Sequence, residues 1–234
     1  MDIFKVKFLE SIERTPTVES FRFMPEKRID FLAGQFLRVI FDRDNLENKE
    51  LNKFLSFSSS PYREYIEVTK RLSESLFSQR LKSLKKDDEI LIKAPLGSCV
   101  FNKDFKNIAF LIGGIGITPV ISMLEYIHDE DLDTDVMLFY SNRSPSDIAF
   151  KEEIDRLAKE NNRIKVFYFI TDSLSKDKDF IFSRIDKEFL KNYLSELENR
   201  LIYIFGPPKM VEALKETALE LGLTNIKTES FLGY

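Results

Sequence analysis

The fold is decided by the stretch Ile108-Ala109-Phe110-Leu111-Ile112-Gly113-Gly114-Ile115-Gly116-Ile117-Thr118-Pro119. Its first five residues are all apolar, which is typical of a strand buried on both faces of a sheet. Glycines follow, and glycine lets the backbone turn tightly and approach a pyrophosphate closely. Pro119 suits the first turn of a helix, whose free N–H groups attract anions. We therefore predict a strand, a nucleotide-binding turn and a helix, with a plain strand-to-helix turn as the alternative.

The sequence after this turn alternates between apolar strands and helices. Such alternation is typical of a parallel sheet covered on both faces, here with five or six strands. The predicted strands are 108–112, 136–140, 164–170, 201–205 and 226–229. The predicted helices are 119–127, 148–159, 187–197 and 210–221.

The first hundred residues have a different rhythm. Apolar and polar residues alternate in short runs about ten residues apart, which predicts a small antiparallel β-barrel. The runs are 4–8, 19–23, 36–41, 54–57, 65–69 and 90–92, with one helix at 75–84. We therefore expect two domains, 1–102 and 103–234.

Composition excludes several classes of protein. The chain has 234 residues, a net charge of −4, one Cys and one His. It therefore has no internal disulfide, no Cys-rich zinc or iron–sulfur site and no multi-His metal site, and we expect no metal. It is not basic enough to bind nucleic acid through the phosphate backbone. It shows neither a secretory signal nor an apolar stretch long enough to span a membrane, so we expect a cytoplasmic protein.

Further motifs, taken in order, resemble the ferredoxin–NADP reductase family over essentially the whole chain. Taken singly, each could also be an ordinary strand end or turn. They are GQF at 34–36, KFLSFSSSP at 53–61, SQRL at 78–81 before Asp87-Asp88, PLG at 95–97, GGIGITP at 113–119 and FGPPKM at 205–210. The resemblance implies an N-terminal barrel that binds FAD, or else FMN, and a C-terminal Rossmann-like domain that binds NADPH or NADH.

The resemblance also implies which residues contact the flavin. Ser56 is expected to hydrogen-bond near flavin N5. The flavin phosphates are expected to contact Lys53, Lys70 and the amide and hydroxyl of Ser78. The expected flavin site is completed by Phe54, Leu55 and Val68.

The dinucleotide residues follow from the same resemblance. Gly114 and Gly116 are expected at the dinucleotide phosphates, and Thr118 near the nicotinamide. Glu229 matches the acidic residue near the centre of hydride transfer, so Ser56, Glu229 and Phe205 are the expected catalytic residues. The remaining dinucleotide contacts are assigned to Gly113, Pro119, Gly206, Pro207 and Met210.

Several residues depart from the family pattern. Lys53 stands in place of Arg and lacks its bidentate fork. Leu55 replaces a Tyr that lies against the flavin ring, and Phe205 replaces a Cys beside the nicotinamide. Asp87 stands where Gly is common. Tyr234, beyond the usual end, is expected either to cover the flavin face or to be a frayed terminus.

The choice of dinucleotide depends on the sequence Ser141-Asn142-Arg143-Ser144. It contains no acidic residue to bind two ribose hydroxyls, and Arg143 is suited to a 2′-phosphate, which favours NADPH. The alternative is that Arg143 simply lies on the surface.

The resemblance implies an NAD(P)H-dependent flavoprotein reductase. Hydride passes between nicotinamide and flavin N5, and single electrons pass to ferredoxin, flavodoxin or another one-electron acceptor. One alternative is a reductase subunit of an oxygenase or dehydrogenase complex. Another is a flavin- or nucleotide-binding sensor with little turnover.

Overall fold

The computed structural model describes residues 2–172, 177–194 and 200–231. It divides into two compact units. The first contains the residues up to Phe101 together with 118–129, and the second contains 102–117 and the described residues from Glu130 onward. Within the described ranges, no helix is both long and apolar enough to cross a bilayer.

The first unit is built on a six-stranded antiparallel sheet in the order β4-β3-β6-β1-β2-β5. An isolated bridge between Phe57 and Val68 joins the two outer strands, so the sheet closes as the predicted barrel. The elements are β1 (Asp2–Thr15), β2 (Val18–Pro25), β3 (Phe36–Ile40), β4 (Asn52–Ser56), β5 (Ile66–Arg71), α1 (Leu76–Lys82) and β6 (Glu89–Leu96).

The barrel core comes from the inward-facing residues of its strands. Alternation places side chains such as Leu37 and Val39 on one face of β3, and both are fully buried. Phe77 and Leu81 of α1 join the same cluster from one end. Ser75 begins this helix by accepting a hydrogen bond from the Ser78 amide.

The second unit is built on a five-stranded sheet in the order β11-β10-β7-β8-β9, with every pair parallel. This confirms the predicted α/β fold. Its strands are β7 (Asn107–Gly113), β8 (Asp135–Asn142), β9 (Ile164–Ile170), β10 (Arg200–Gly206) and β11 (Ile226–Ser230). The helices that follow these strands in the sequence are α2 (Ile117–Asp129), which lies in the first unit from residue 118 onward, and α3 (Lys151–Glu160), α4 (Lys187–Tyr193) and α5 (Pro208–Glu220).

Two of these helices differ from the prediction. The prediction began α3 at 148, but the helix begins at Lys151 because Phe150 has a left-handed φ of 60°. The prediction ended α4 at 197, but the helix ends at Tyr193, and 195–199 lie outside the described residues.

Candidate functional site

Two glycine-containing turns pack against each other in the second unit. The first leaves β7 at Gly113 and makes a 3₁₀ turn over Gly114–Gly116. A Cβ on Gly113 would lie 2.3 Å from Sδ of Met210, and a Cβ on Gly116 would lie 2.6 Å from the carbonyl oxygen of Phe205. Gly116 therefore requires glycine, because an added Cβ would meet backbone atoms and force the two turns apart, whereas a Cβ on Gly113 would displace the Met210 side chain.

The second turn joins β10 to α5. A Cβ on Gly206 would lie 3.2 Å from the Gly113 amide nitrogen, so the two backbones approach closely. Pro207 precedes the helix in an extended conformation, and Pro208 occupies its first turn. The structure thus brings together four residues that were predicted as dinucleotide contacts: Gly113, Gly206, Pro207 and Met210.

Phe205 and Glu229 are paired in register on the adjacent strands β10 and β11. Phe205 is fully buried, and Phe231 packs edge-on against it at a centroid distance of 6.4 Å. Oε2 of Glu229 is buried and has no hydrogen-bond partner among the described residues. Burial raises the pKa of the Glu229 carboxyl, so this group holds its proton to a higher pH than an exposed glutamate.

The loop after β8 carries the residues expected to select the dinucleotide. Arg143 is exposed, and its Nε lies 4.0 Å from Oδ2 of Asp172. Asp147 accepts hydrogen bonds from the amide and the hydroxyl of Ser144, which closes the loop as a capping box. The Asp147 carboxylate is therefore engaged in holding the conformation of this loop, while the Asp172 carboxylate, which follows β9, lies beside the Arg143 guanidinium.

Lys53 and Lys70 form a like-charged pair in the barrel unit. Lys70 is 8% exposed, and its pKa is lowered to about 8, first by burial and then by the charge of Lys53. Its ammonium group donates a hydrogen bond of 3.1 Å to the carbonyl of Arg71. A multiply charged anion such as a pyrophosphate would relieve the repulsion between these two cations, so the pair fits such an anion.

The other predicted flavin residues of β4 and β5 have different environments. Ser56 is buried, and its hydroxyl has no hydrogen bond to another described residue. Phe54 is 60% exposed and packs edge-on against Phe36. Leu55 is half-buried against the barrel core, and Val68 lies fully inside it.

The remaining predicted residues can be placed more briefly. Ser78 is fully buried, its amide donates to Ser75, and its hydroxyl contacts those of Ser73 and Ser75. Thr118 is buried at the start of α2. Pro119 follows it in the same helix and is also buried. Tyr234 lies outside the described residues.

The sequence analysis missed a buried charged network beside the serine-rich segment. Glu67 of β5 accepts hydrogen bonds from the guanidinium groups of Arg14 and Arg22 and from the hydroxyl of Ser58. These residues are far apart in the chain, and single positions within alternating strands give no signal that they meet.

The same segment is attached to α2. The Ser60 amide donates a hydrogen bond of 2.9 Å to Glu125, and the Ser122 hydroxyl donates one of 2.7 Å to the carbonyl of Ser59. The helix that follows the glycine turn is thereby bonded to the segment that follows β4.

Comparison with known proteins found similar sequences. Residues 110–216 match the family described as the oxidoreductase NAD-binding domain. The uncharacterized oxidoreductase AIM33 of Saccharomyces cerevisiae is 31% identical over 207 residues, which are 86% of this chain and 65% of that protein. NADH-cytochrome b5 reductase 1 of Aspergillus clavatus is 25% identical over 237 residues, 95% of this chain and 76% of that one.

The chain covers less of other relatives. It is 28% identical to the NADH nitrate reductase of Cucurbita maxima over 158 residues, which are 62% of this chain and only 17% of that protein. The chain therefore spans just under two thirds of the yeast relative and a small part of the nitrate reductase.

Solved structures share the fold over nearly the whole chain. A ferredoxin NADP+ reductase from Neisseria gonorrhoeae with bound FAD and NADP has a TM-score of 0.83 at 23% identity, with 100% of both chains covered. The cytochrome b5 reductase domain of Ulva prolifera nitrate reductase has a TM-score of 0.84 at 21% identity, with 97% of both covered.

Proposed function

Because residues 110–216 match the oxidoreductase NAD-binding domain and the chain shares its fold with a ferredoxin NADP+ reductase, we propose that it is an NAD(P)H-dependent flavoprotein reductase. The observation that carries this proposal is the edge of the second sheet. There the two glycine turns pack closely, and Glu229 and Phe205 lie at the ends of adjacent strands. Ligands of parallel α/β sheets bind at the carboxyl ends of the strands, which is where these features lie.

The barrel residues fit a bound FAD. Lys53 and Lys70 supply two neighbouring positive charges, which suit the pyrophosphate of FAD better than the single phosphate of FMN. The Ser56 hydroxyl, at the end of β4, can donate or accept a hydrogen bond and suits a polar atom of the ring. When bound, a flavin supplies the ability to accept a hydride and to release electrons singly.

The residues of the second unit would bind and orient the dinucleotide. Gly113 and Gly116 let the glycine turn pack closely against the turn between β10 and α5, and the start of α2 that follows offers backbone N–H groups to the phosphates. Burial raises the pKa of the Glu229 carboxyl at the end of β11, which favours the form that can donate a hydrogen bond. The buried ring of Phe205 packs against Phe231 and so helps to fix the position of this edge of the sheet.

We propose that both NADPH and NADH are substrates. Arg143 can contact a 2′-phosphate, but Asp172 offsets part of its charge, so discrimination between the two dinucleotides is weak. The relatives named NADH-cytochrome b5 reductase and NADH nitrate reductase support the use of NADH. The ratio of kcat/KM values for the two substrates measures this discrimination.

The electron acceptor is a one-electron carrier protein. Cytochrome b5 has the support of the relatives' names, and a ferredoxin or flavodoxin that of the ferredoxin reductase fold. An exposed basic group in the barrel unit would attract an acidic carrier of either kind. The group consists of Arg80, Lys82, Lys85 and Lys86.

A role inside a larger complex is a second candidate. It is supported by the nitrate reductase relative, in which the matched region is a small part of the whole protein. In that case the purified chain would oxidise NAD(P)H with artificial acceptors and would need its partner chain for physiological turnover.

The deciding experiment starts with the absorbance spectrum of the purified protein and extraction of its flavin. Rapid mixing with NADH and NADPH then measures bleaching of the flavin, and cytochrome b5, ferredoxin and flavodoxin are compared as acceptors. We expect a yellow protein that is bleached within seconds. A colourless protein that takes up no added flavin would overturn the proposal, and a bound flavin that is not bleached within seconds would favour the sensor.

A further inference from the structure

One peptide unit of the serine-rich segment is bonded to α2 at both of its polar atoms. The Ser122 hydroxyl donates a hydrogen bond of 2.7 Å to the carbonyl oxygen of Ser59, and the Glu125 carboxylate accepts one of 2.9 Å from the amide of Ser60. The carbonyl and the amide belong to the same trans peptide, which is rigid and planar and points them in opposite directions. Bonds at its two edges therefore fix both the position and the rotation of this peptide.

These two hydrogen bonds are buried. Ser59, Ser60 and Ser122 lie almost completely inside the protein, and the Glu125 side chain is 14% exposed. Water is therefore poorly placed to replace either partner, and loss of a bond would leave a polar backbone group unsatisfied. The Nε of Arg63 lies 3.4 Å from the same oxygen of Glu125, Oε2, and so helps to hold the carboxylate in place.

Ser122 and Glu125 share a face of α2 with Thr118. The three residues are spaced by four and then three positions, which places their side chains one above the next along the helix. Thr118 is buried in the first turn of α2 and is the residue expected near the nicotinamide. The helix face that carries this expected contact therefore also holds the Ser59–Ser60 peptide.

The other end of the serine-rich segment is Ser56, whose hydroxyl suits a polar atom of the flavin ring. The residues that follow it are held by the barrel. The Phe57 amide donates a hydrogen bond of 3.1 Å to the carbonyl of Gln35, and the Ser58 amide donates one of 2.8 Å to the carbonyl of Glu67. The segment is therefore rigid, so bonding its far end to α2 also fixes Ser56 relative to that helix.

We propose that Ser122 and Glu125 are positioning residues for hydride transfer, because the peptide that they hold fixes Thr118 relative to Ser56 and so the nicotinamide relative to the flavin. This inference rests on the proposed function. Neither residue contacts a reacting group, so neither contributes directly to the binding of NAD(P)H. The rate depends steeply on the separation of the reacting atoms, and a misplacement of about 1 Å costs up to about a hundredfold. Loss of this contact should therefore lower the rate more than the affinity.

The test uses the FAD-loaded protein and two variants of one residue. Glu125→Leu removes the acceptor, whereas Glu125→Gln keeps an oxygen that can accept from the Ser60 amide. The protein is mixed rapidly with NADH or NADPH, whichever bleaches the wild type faster as it loses a hydride to the flavin. The limiting rate of bleaching measures transfer, and its concentration dependence gives the dissociation constant.

We expect Glu125→Leu to lower the limiting rate at least tenfold, while the dissociation constant stays within threefold of wild type. Glu125→Gln should recover most of the rate, because it restores the hydrogen bond. Asp129→Asn is the matched control on α2. Its carboxylate lies 3.7 Å from the Arg63 guanidinium, so it acts on a side chain of the segment and not on the Ser59–Ser60 peptide. Its limiting rate should equal that of wild type.

Thermal unfolding of each variant separates positioning from stability. A lower Tm for Glu125→Leu with a wild-type limiting rate, measured well below Tm, would overturn the inference, and so would a Glu125→Gln variant as slow as Glu125→Leu. If Glu125→Leu does not fold, Ser122→Ala decides. It removes one hydroxyl from the other edge of the same peptide, and we expect a limiting rate at least threefold lower. A wild-type rate in Ser122→Ala would overturn the inference, whereas a wild-type protein whose flavin neither dinucleotide bleaches would overturn the proposed function.

Discussion

Glu229 and Phe205 are register partners at the ends of β11 and β10, and the Glu229 carboxyl is buried there without a described hydrogen-bond partner for Oε2. Burial raises the pKa of this carboxyl, so its ionisation costs more free energy than that of an exposed glutamate and lowers the stability of the folded state.

The first prediction concerns Glu229→Gln and stability. Burial raises the pKa of Glu229 in the folded state, so between its unfolded and folded pKa values the native state binds more protons. Stability therefore falls as pH rises through this range. We expect Glu229→Gln to raise Tm above wild type at pH 8 and to have no such effect at pH 4. Thermal unfolding at both values measures this, and an equal Tm difference at both would contradict it.

The second prediction concerns the packing of the two glycine turns. Gly116→Ala places a Cβ 2.6 Å from a backbone oxygen, which cannot move aside as a flexible side chain can. We expect a loss of about 1–3 kcal/mol in the free energy of unfolding and weaker binding of NAD(P)H. Urea denaturation and calorimetry measure the two effects.

Gly206→Ala is the graded control for that prediction. Its added Cβ would approach the Gly113 amide to 3.2 Å, which is a tighter contact than usual but needs only a small shift. We expect a smaller loss of stability than for Gly116→Ala. A larger loss of stability for Gly206→Ala than for Gly116→Ala would show that the close approach of the two turns is not the reason for glycine at these positions.

The third prediction concerns the pH dependence of FAD affinity. The pKa of Lys70 is about 8 without a bound anion, and a pyrophosphate would raise it. Lys70 must therefore take up a proton on binding above pH 8, and FAD affinity should fall there by about tenfold per pH unit. Fluorescence titration of the apoprotein with FAD between pH 7 and 10 measures the fall.

Lys70→Arg separates this explanation from a general effect of pH. Arginine stays charged throughout the range, so the variant should bind FAD with an affinity that no longer falls between pH 8 and 10. Lys53→Gln should weaken binding at pH 7 and move the fall to higher pH, because Lys53 no longer lowers the pKa of Lys70. If the fall persists unchanged in Lys70→Arg, Lys70 is not its cause.

The fourth prediction concerns Asp87, which stands where the family pattern has glycine. Asp87 has a φ of 71°, in the left-handed region that glycine adopts without strain. We expect Asp87→Gly to raise the free energy of unfolding by about 0.5–1 kcal/mol. Asp88→Gly is the contrasting variant, because the Asp88 carboxylate accepts a hydrogen bond from the Lys85 amide and its loss should destabilise the protein.

The sequence predicted those features that depend on local rules. The apolar run before Gly113 and the alternation in the first hundred residues are local patterns, and both sheets were predicted from them. Phe150 was placed inside a helix because its left-handed conformation has no sequence signal. The contact of Glu67 with Arg14 and Arg22 was missed because it depends on the register between β1, β2 and β5.

The last prediction tests that buried network. Glu67 and Arg14 are almost fully buried, so removing the carboxylate charge would leave two guanidinium groups without their partner. We expect Glu67→Gln to cost about 3–5 kcal/mol in the free energy of unfolding. Glu10→Gln is the matched control, since Glu10 also pairs with Arg22 but lies on the surface, and it should change stability by less than about 1 kcal/mol. Similar losses in the two variants would show that burial does not determine the strength of these pairs.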